Sequence, residues 1–112
     1  NQKVMGELSG DLLIVSWGGT YGAVRTAVEL AQKEGFSVSH IHLRYIHPMP
    51  SNLGNILGSF KKVLVPELNL GQLRMLLRAR FLIDAVGFNK VQGKPFNISE
   101  IYTKIQKTLS ED

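Results

Sequence analysis

Leu12–Gly35, with the sequence LLIVSWGGTYGAVRTAVELAQKEG, decides the fold class of this chain. Its first residues, Leu12 to Ser16, form an apolar run with β-branched content between glycine-containing stretches, which is typical of a buried central strand. From Tyr21 to Glu34, apolar residues recur at helical spacing, and Gly35 stands where such a helix would end. The stretch therefore predicts one strand–turn–helix unit of an α/β protein.

The same alternation of strand and helix patterns continues along the chain. Further strands are expected at Val38 to Ile46, Lys62 to Val65 and Phe81 to Val86. Helices are expected after a cap at Ser51, from Gln72 to about Arg78, and after Asn97, which is predicted to form a capping box with Glu100. Four strand–helix units in succession predict a three-layer α/β/α domain with a mostly parallel sheet.

Length and composition indicate one domain over residues 1–112 with an ordinary core, since 44% of the residues are hydrophobic. The chain has no cysteine, which excludes a disulfide scaffold, a cysteine nucleophile and thiolate-ligated zinc or iron–sulfur sites within it. Its apolar runs are too short to cross a bilayer. The chain begins at Asn1 without an initiator Met or a signal-peptide pattern. A piece of a longer cytoplasmic protein is the expected source.

The net charge of +4 arises from the second half of the chain. Residues 61–112 carry nine basic and five acidic groups, whereas residues 1–60 carry four of each. A solvated surface is the simpler interpretation. The alternative is a docking face for an acidic partner protein or a phosphorylated cofactor. Nucleic acid is not expected, because aromatic residues are not interleaved with these charges.

A glycine-rich turn follows the first predicted strand, where α/β proteins often bind phosphate. Its candidate anion-binding residues are Gly18, Gly19, Thr20 and Gly22. The spacing does not match G-x-G-x-x-G, and the region about twenty residues on, which would hold a ribose, contains no acidic residue. A turn needed for packing, or for fitting a neighbouring domain, is the preferred interpretation. A free-standing module that binds a small anion here is the alternative.

Three histidines, His40, His42 and His47, suggest a metal site, because alternate residues of a strand share one face. No cysteine, aspartate or glutamate lies near them in sequence to complete a ligand set, so no metal site is predicted. A fully buried strand would be apolar on both faces. The face with His40 and His42 is therefore expected to be covered by water or by a partner.

Glu67 and Asn69 follow the third predicted strand, where polar residues of α/β folds project towards other molecules. The first interpretation is structural, namely hydrogen bonds to loop backbone and capping of the third helix. Contacts across a subunit interface are the second interpretation. No pair of residues has the spacing of a nucleophile elbow, and no catalytic residue is predicted.

Four sequence blocks carry a more specific signal. They are Gly10–Gly22 (GDLLIVSWGGTYG), Leu43–Pro50 (LRYIHPMP), Val65–Leu73 (VPELNLGQL) and Asn89–Phe96 (NKVQGKPF). In this order they resemble the C-terminal domain of the α subunit of 2-oxoacid:ferredoxin oxidoreductases, and most of all the 2-oxoglutarate type. The resemblance implies a transketolase C-terminal-like fold with five strands, in which Lys3 to Glu7 supplies an antiparallel strand.

The resemblance also implies a function for the parent enzyme. That enzyme would decarboxylate 2-oxoglutarate oxidatively on thiamine diphosphate with magnesium, transfer the acyl group to coenzyme A and pass electrons to ferredoxin through an iron–sulfur cluster. This domain itself would bind no cofactor and would be inactive alone. Its expected partners are the preceding thiamine-related domain and the β subunit, with neither nucleic acid nor membrane.

Two groups of contact residues follow from that assignment. The assembly interface is predicted at Arg44, Glu67, Asn69, Gln72, Lys90, Gln92, Lys94 and Phe96. Docking of coenzyme A or ferredoxin is a secondary hypothesis for a basic group consisting of Arg74, Arg78, Lys90 and Lys94.

Overall fold

A computed structural model describes residues 2–46, 48–68, 71–90 and 94–111. Its four strands are β1 (Gly10–Trp17), β2 (Val38–Leu43), β3 (Phe60–Glu67) and β4 (Val86–Asn89). Its four α-helices are α1 (Tyr21–Lys33), α2 (Leu53–Gly58), α3 (Gln72–Phe81) and α4 (Ile98–Ser110). The strands form one parallel sheet in the order β2-β1-β3-β4. All four carboxyl ends therefore lie along one edge of the sheet.

Helices cover both faces of this sheet, as the alternation of patterns predicts. On one face, Leu12 and Ile14 of β1 pack with apolar residues of α1 and α4. On the other face, Leu13 and Val15 pack with residues of α2 and α3. Because successive side chains of a strand point to opposite faces, β1 contributes to both cores and is buried on both sides. The three-layer α/β/α prediction is confirmed.

The expected fifth strand is absent from the described residues. The segment over residues 3–7 runs antiparallel to β2, as expected, but makes only one bridge, between Met5 and His40. The next residue, Gly6, has a φ of +123°, which turns the chain out of the ladder. The sheet is therefore four-stranded, and its β2 edge is covered by a short extended segment.

The fourth strand lies further along the chain than the expected Phe81 to Val86. Leu73, Leu77 and Phe81 are spaced four residues apart, so α3 continues to Phe81 with these residues facing the core. The helix then ends at Leu82 in the left-handed region, with φ of 56°. The predicted start of this strand at Phe81 is wrong, because Phe81 is the last residue of α3.

The helix-start predictions had mixed outcomes. The capping box of α4 is confirmed, since the Asn97 side chain accepts from the Glu100 N–H and the Glu100 side chain accepts from the Asn97 N–H. The expected cap at Ser51 is wrong, because α2 begins with Asn52 at the N-cap position. The Asn52 side chain instead holds the backbone of Gln2 through two hydrogen bonds of 2.9 and 3.1 Å. It thereby anchors the amino-terminal segment.

Candidate functional site

Glu67 lies at the carboxyl edge of the sheet, at the end of β3 and next to the beginning of α3. Its side chain is 0% exposed. Oε1 accepts from the Leu73 backbone N–H at 2.8 Å and from the indole N–H of Trp17 at 3.1 Å, and Oε2 accepts from the Arg74 backbone N–H at 3.1 Å. A carboxylate at a helix N-terminus satisfies free N–H groups and is favoured by the helix dipole.

These contacts favour the structural interpretation of Glu67. The carboxylate joins β1, β3 and α3, which is the structural interpretation. The side chain is buried within the chain, and its place in an assembly interface remains a prediction. The adjacent candidate Asn69 lies outside the described residues.

The histidine-bearing face of β2 carries a second polar arrangement, next to the polar end of β1. Ser16 and His40 are each 0% exposed. The Ser16 Oγ lies 2.6 Å from His40 Nε2 and 2.8 Å from His42 Nδ1. On the other side of His40, Nη1 of Arg25 lies 3.4 Å from Nδ1. Four side chains from β1, β2 and α1 thus form one continuous polar chain.

This arrangement corrects the expectation that water or a partner covers His40. The covering groups belong to helix α1 of the same chain, since the Tyr21 ring lies 5.9 Å from the His40 ring and 4.9 Å from that of His42. Of His40 and His42, only His42 is partly exposed. The described residues bring no three metal-ligating side chains together, and His47 lies outside them.

Burial and nearby positive charge keep both imidazoles neutral. Burial, followed by the charges of Arg25 and of His42, lowers the pKa of His40 from 6.5 to about 3. Burial and the charge of Arg44 also lower the pKa of His42. Both rings are therefore hydrogen-bonding groups at neutral pH, rather than cations.

A cleft with a volume of about 1040 Å³ opens beside His42 at the end of β2. It lies between the anchored amino-terminal segment and the loop that leaves β2. The described residues that line it are Gln2, Lys3, Met5, Tyr21, His42, Arg44, Tyr45, Pro48, Met49 and Pro50. Arg44 is exposed and Tyr45 is 71% exposed, so the rim presents a cation and an aromatic ring to incoming groups.

The glycine turn after β1 forms a short 3₁₀ helix over Gly18–Thr20 that leads into α1. A Cβ added at Gly18, Gly19 or Gly22 would have no atom within 4 Å. Packing within the chain therefore does not require these glycines, although Gly18 has a φ of +63°. Thr20 is buried, and its hydroxyl donates to the carbonyl of Trp17 at 3.0 Å. Fitting against a neighbouring domain and binding an anion both remain predictions.

The side chains of the basic group make contacts within the chain that the sequence does not show. The Nε of Arg74 donates to the Ala85 carbonyl at 2.8 Å. The Nζ of Lys90 lies 2.6 Å from a Glu100 carboxylate oxygen, and Nη2 of Arg78 lies 4.0 Å from the exposed carboxylate of Asp84. Arg74 and Lys90, two of the four predicted docking cations, are thus held by neighbouring residues, and Arg78 makes a longer contact. Docking at this group remains a prediction.

The remaining interface candidates fall into three classes. Phe96 is only 6% exposed and its ring lies 5.1 Å from that of Phe88, so it belongs to the core, and its interface role remains a prediction. Gln72 and Lys94 are exposed. Gln92 lies outside the described residues. None of the helices in the described part of the chain is long and apolar enough to cross a membrane.

Sequence comparison assigns most of this chain to one region of larger proteins. The family described as pyruvate:ferredoxin oxidoreductase core domain II matches residues 10–101. The 2-oxoglutarate oxidoreductase subunit KorA of Mycobacterium tuberculosis is 43% identical over 100 residues, which are 89% of this chain and 15% of that protein. The chain thus spans about a seventh of this relative's length.

Structural comparison gives the same assignment. A 2-oxoglutarate:ferredoxin oxidoreductase from Magnetococcus marinus, with 2-oxoglutarate, coenzyme A and succinyl-CoA bound, superposes with a TM-score of 0.91 and 32% identity. The superposition covers 98% of this chain and 20% of that one. A split-gene transketolase, described as an inactive β4 tetramer, gives a TM-score of 0.73 at 20% identity, over 98% of this chain and 41% of that one. The latter match supports the transketolase-like fold alone.

Proposed function

Because this chain belongs to the pyruvate:ferredoxin oxidoreductase core domain II family, we propose that it serves as the assembly domain of a 2-oxoglutarate:ferredoxin oxidoreductase α subunit. The complete enzyme would decarboxylate 2-oxoglutarate oxidatively, pass the acyl group to coenzyme A and pass electrons to ferredoxin. The domain would contribute a rigid surface for the rest of the subunit and for its β-subunit partner, in a cytoplasmic complex.

One observation carries this proposal. The chain superposes over nearly its whole length on a fifth of the Magnetococcus marinus enzyme, at a TM-score of 0.91. A region conserved in shape as one compact unit within a larger chain is a domain, and domains of one enzyme meet through interfaces of several hundred square ångströms. Names of the relatives favour 2-oxoglutarate as the substrate of the parent enzyme.

The contacts at the carboxyl edge support a role in assembly rather than in chemistry. The Glu67 carboxylate is used by Trp17 and the first turn of α3, and His40 lies inside the polar chain. Side chains used in this way hold their own elements in place, and because both are 0% exposed neither reaches a substrate. Exposed groups for contact with other domains are instead found at Arg44 and Tyr45.

The cofactors implied for the parent enzyme are thiamine diphosphate, magnesium and an iron–sulfur cluster. A cluster of this kind is held by cysteine thiolates, of which this chain has none. Magnesium prefers carboxylate oxygens, and the described residues offer no group of three ligating side chains. The chain does not fit an iron–sulfur cluster, and its described residues do not fit magnesium, so no step of the reaction is assigned to them.

A chimera tests the proposed function. The segment of the Mycobacterium tuberculosis KorA subunit that matches this chain is replaced by this chain, and the subunit is produced with its partner subunit. Co-purification together with 2-oxoglutarate-dependent reduction of an electron acceptor supports the proposal, while this chain alone is expected to be inactive. A chimeric subunit that folds but neither associates nor turns over would overturn it.

Matched charge reversals then locate the contact surface. Arg44→Glu changes an exposed cation at the rim of the cleft, and Lys107→Glu makes the same charge change on the exposed side of α4. We expect Arg44→Glu to weaken association of the chimera, whereas Lys107→Glu leaves it unchanged. Equal effects would place the interface elsewhere.

A further inference from the structure

The polar chain through Ser16 has one arrangement of donors and acceptors in which every proton, including that of the buried Ser16 hydroxyl, has a partner among these side chains. A guanidinium has no acceptor, so Nη1 of Arg25 must donate and His40 Nδ1 must accept. The proton of neutral His40 then lies on Nε2, which donates to Ser16 Oγ. Ser16 Oγ could also accept from both histidines, but its own buried proton would then have no acceptor among these side chains, so we assign that proton to Nδ1 of His42.

This arrangement fixes the tautomer of His42. Since Nδ1 accepts from Ser16, the proton of neutral His42 is on Nε2, which is the nitrogen left for an external partner. His42 is partly exposed and lines the 1040 Å³ cleft. The buried series of hydrogen bonds therefore ends at the cleft in the Nε2–H of His42, which can act only as a donor. Each preceding hydrogen bond polarises this N–H group further.

The cleft is lined by positive charge, which favours the same kind of ligand as the His42 N–H donor does. Lys3 and Arg44 line it, and none of the described lining residues is acidic. Positive potential also reaches the imidazole itself, because the charge of Arg44, after burial, is what lowers the pKa of His42. An N–H donor in a cleft that also presents two cations and, among its described lining residues, no carboxylate favours a negatively charged oxygen group.

The walls of the cleft are suited to an apolar part of the same ligand. Tyr21 holds the His42 ring edge-on at 4.9 Å, and Tyr45 and Met49 line the cleft beside it. Small-molecule sites combine such apolar walls with a few convergent polar groups, and a volume of this size accommodates a molecule larger than a simple ion.

We propose that the His42 imidazole N–H and the Arg44 guanidinium, assisted by Lys3, form an oxyanion-binding site for the phosphate or carboxylate of a small organic molecule. This site goes beyond the proposed assembly function, because it would be present in the 112-residue chain by itself. Ser16, His40 and Arg25 act as positioning residues, which set the tautomer of His42 without touching the ligand.

The first test measures the tautomer directly. Long-range proton–nitrogen NMR spectra of the chain with ¹⁵N-labelled histidine, at neutral pH, should show both His40 and His42 neutral and protonated on Nε2. Ser16→Ala removes the donor to His42 Nδ1 and should let His42 populate the other tautomer. A His42 that carries its proton on Nδ1 in the unmodified chain would overturn the proposal.

The second test measures anion binding with inorganic phosphate in one arm and acetate in the other, at constant ionic strength set with chloride. Saturable shifts of the His42 ring signals in either arm support the site, and the arm that binds more tightly identifies phosphate or carboxylate as the recognised group. Arg44→Gln, at an exposed position that the fold does not need, should weaken binding about tenfold, as expected for loss of one charge-assisted contact.

Arg80→Gln is the matched control, because it removes an exposed arginine outside the cleft and should leave the affinity unchanged. Absence of saturation with both anions, or equal affinities in the Arg44→Gln and unmodified chains, would overturn the proposal. Failure of the site leaves the assembly function intact, since the chimera measures association and turnover.

Discussion

Acidification should destabilise this domain through His40, which is 0% exposed. In the folded chain the pKa of His40 is lowered from 6.5 to about 3, first by burial and then by the charges of Arg25 and of His42. The unfolded chain exposes the imidazole and restores its ordinary pKa. Between these two values the unfolded state binds a proton that the folded state does not bind. Stability is therefore complete above 6.5 and falls as the pH falls towards 3.

The size of this effect follows from the linkage between proton binding and unfolding. A group protonated only in the unfolded state changes the free energy of unfolding by about 1.4 kcal/mol per pH unit. For a pKa of 6.5 unfolded and about 3 folded, the loss between about pH 8 and about pH 5 is roughly 2 kcal/mol. A loss of that size is a large fraction of the stability of a small domain.

The assay is urea unfolding at both pH values, on the unmodified chain and on His40→Gln. Glutamine keeps an amide near Ser16 but does not titrate, so the variant should lose about 2 kcal/mol less between the two pH values than the unmodified chain does. The variant is expected to be less stable at both pH values, and only the difference between the two losses reports on protonation. Most other titrating groups are common to both proteins and cancel in that difference.

Equal pH-dependent losses in the two proteins would refute this reasoning about His40. An NMR titration of His40 in the unmodified chain gives an independent answer if His40→Gln does not fold. A ring that titrates near its ordinary value would show that the buried polar chain tolerates the imidazolium, contrary to the burial and to the nearby Arg25.

Three further changes test the helix ends, each by urea unfolding at neutral pH. Glu67→Gln replaces one of the two carboxylate oxygens, of which one accepts from the Leu73 N–H and the other from the Arg74 N–H, with an NH₂ donor, and should cost about 2 kcal/mol; an unchanged midpoint would show that the cap is dispensable. Asn97→Ala removes the capping box of α4 and should lower the free energy of unfolding by about 1 kcal/mol. The helical circular dichroism of the folded variant should stay close to that of the unmodified chain. Leu82→Gly should leave stability equal or raise it by up to about 1 kcal/mol, because Leu82 has a φ of 56° and is 89% exposed; a clear loss would reveal a packing role.

Elements with strong local signals could be predicted from the sequence. The apolar run of β1 and the capping box of α4 each depend on residues close together in the chain, and both were found where expected. The position of β4 could not be predicted, because Phe81 fits equally well as the last core residue of a helix and as the first residue of an apolar strand. Packing against α2 decides it, since the Phe81 ring lies against Gly54.

The candidate site, too, could be predicted from the sequence only in part. The sequence places His40 and His42 on one face of a strand and correctly makes that face polar. It does not show that Arg25, fifteen residues earlier, lies over His40 at 3.4 Å. Ser16 was the available signal, because a hydroxyl at the end of an apolar strand needs a partner. The parallel pairing of β1 with β2 places it directly opposite His42.

The change from apolar to polar along a single face of the sheet links the fold to the proposed site. On β1, Leu12 and Ile14 of this face pack under α1, and the next residue on the face is Ser16. On β2, Val38 belongs to the same core, and His40 and His42 follow it. The apolar residues stabilise the layer, so the polar residues at the carboxyl edge are held rigidly by elements that pack elsewhere. A donor with a fixed direction at that edge is available to a ligand without reorganisation, which is the condition under which a hydrogen bond contributes most to binding.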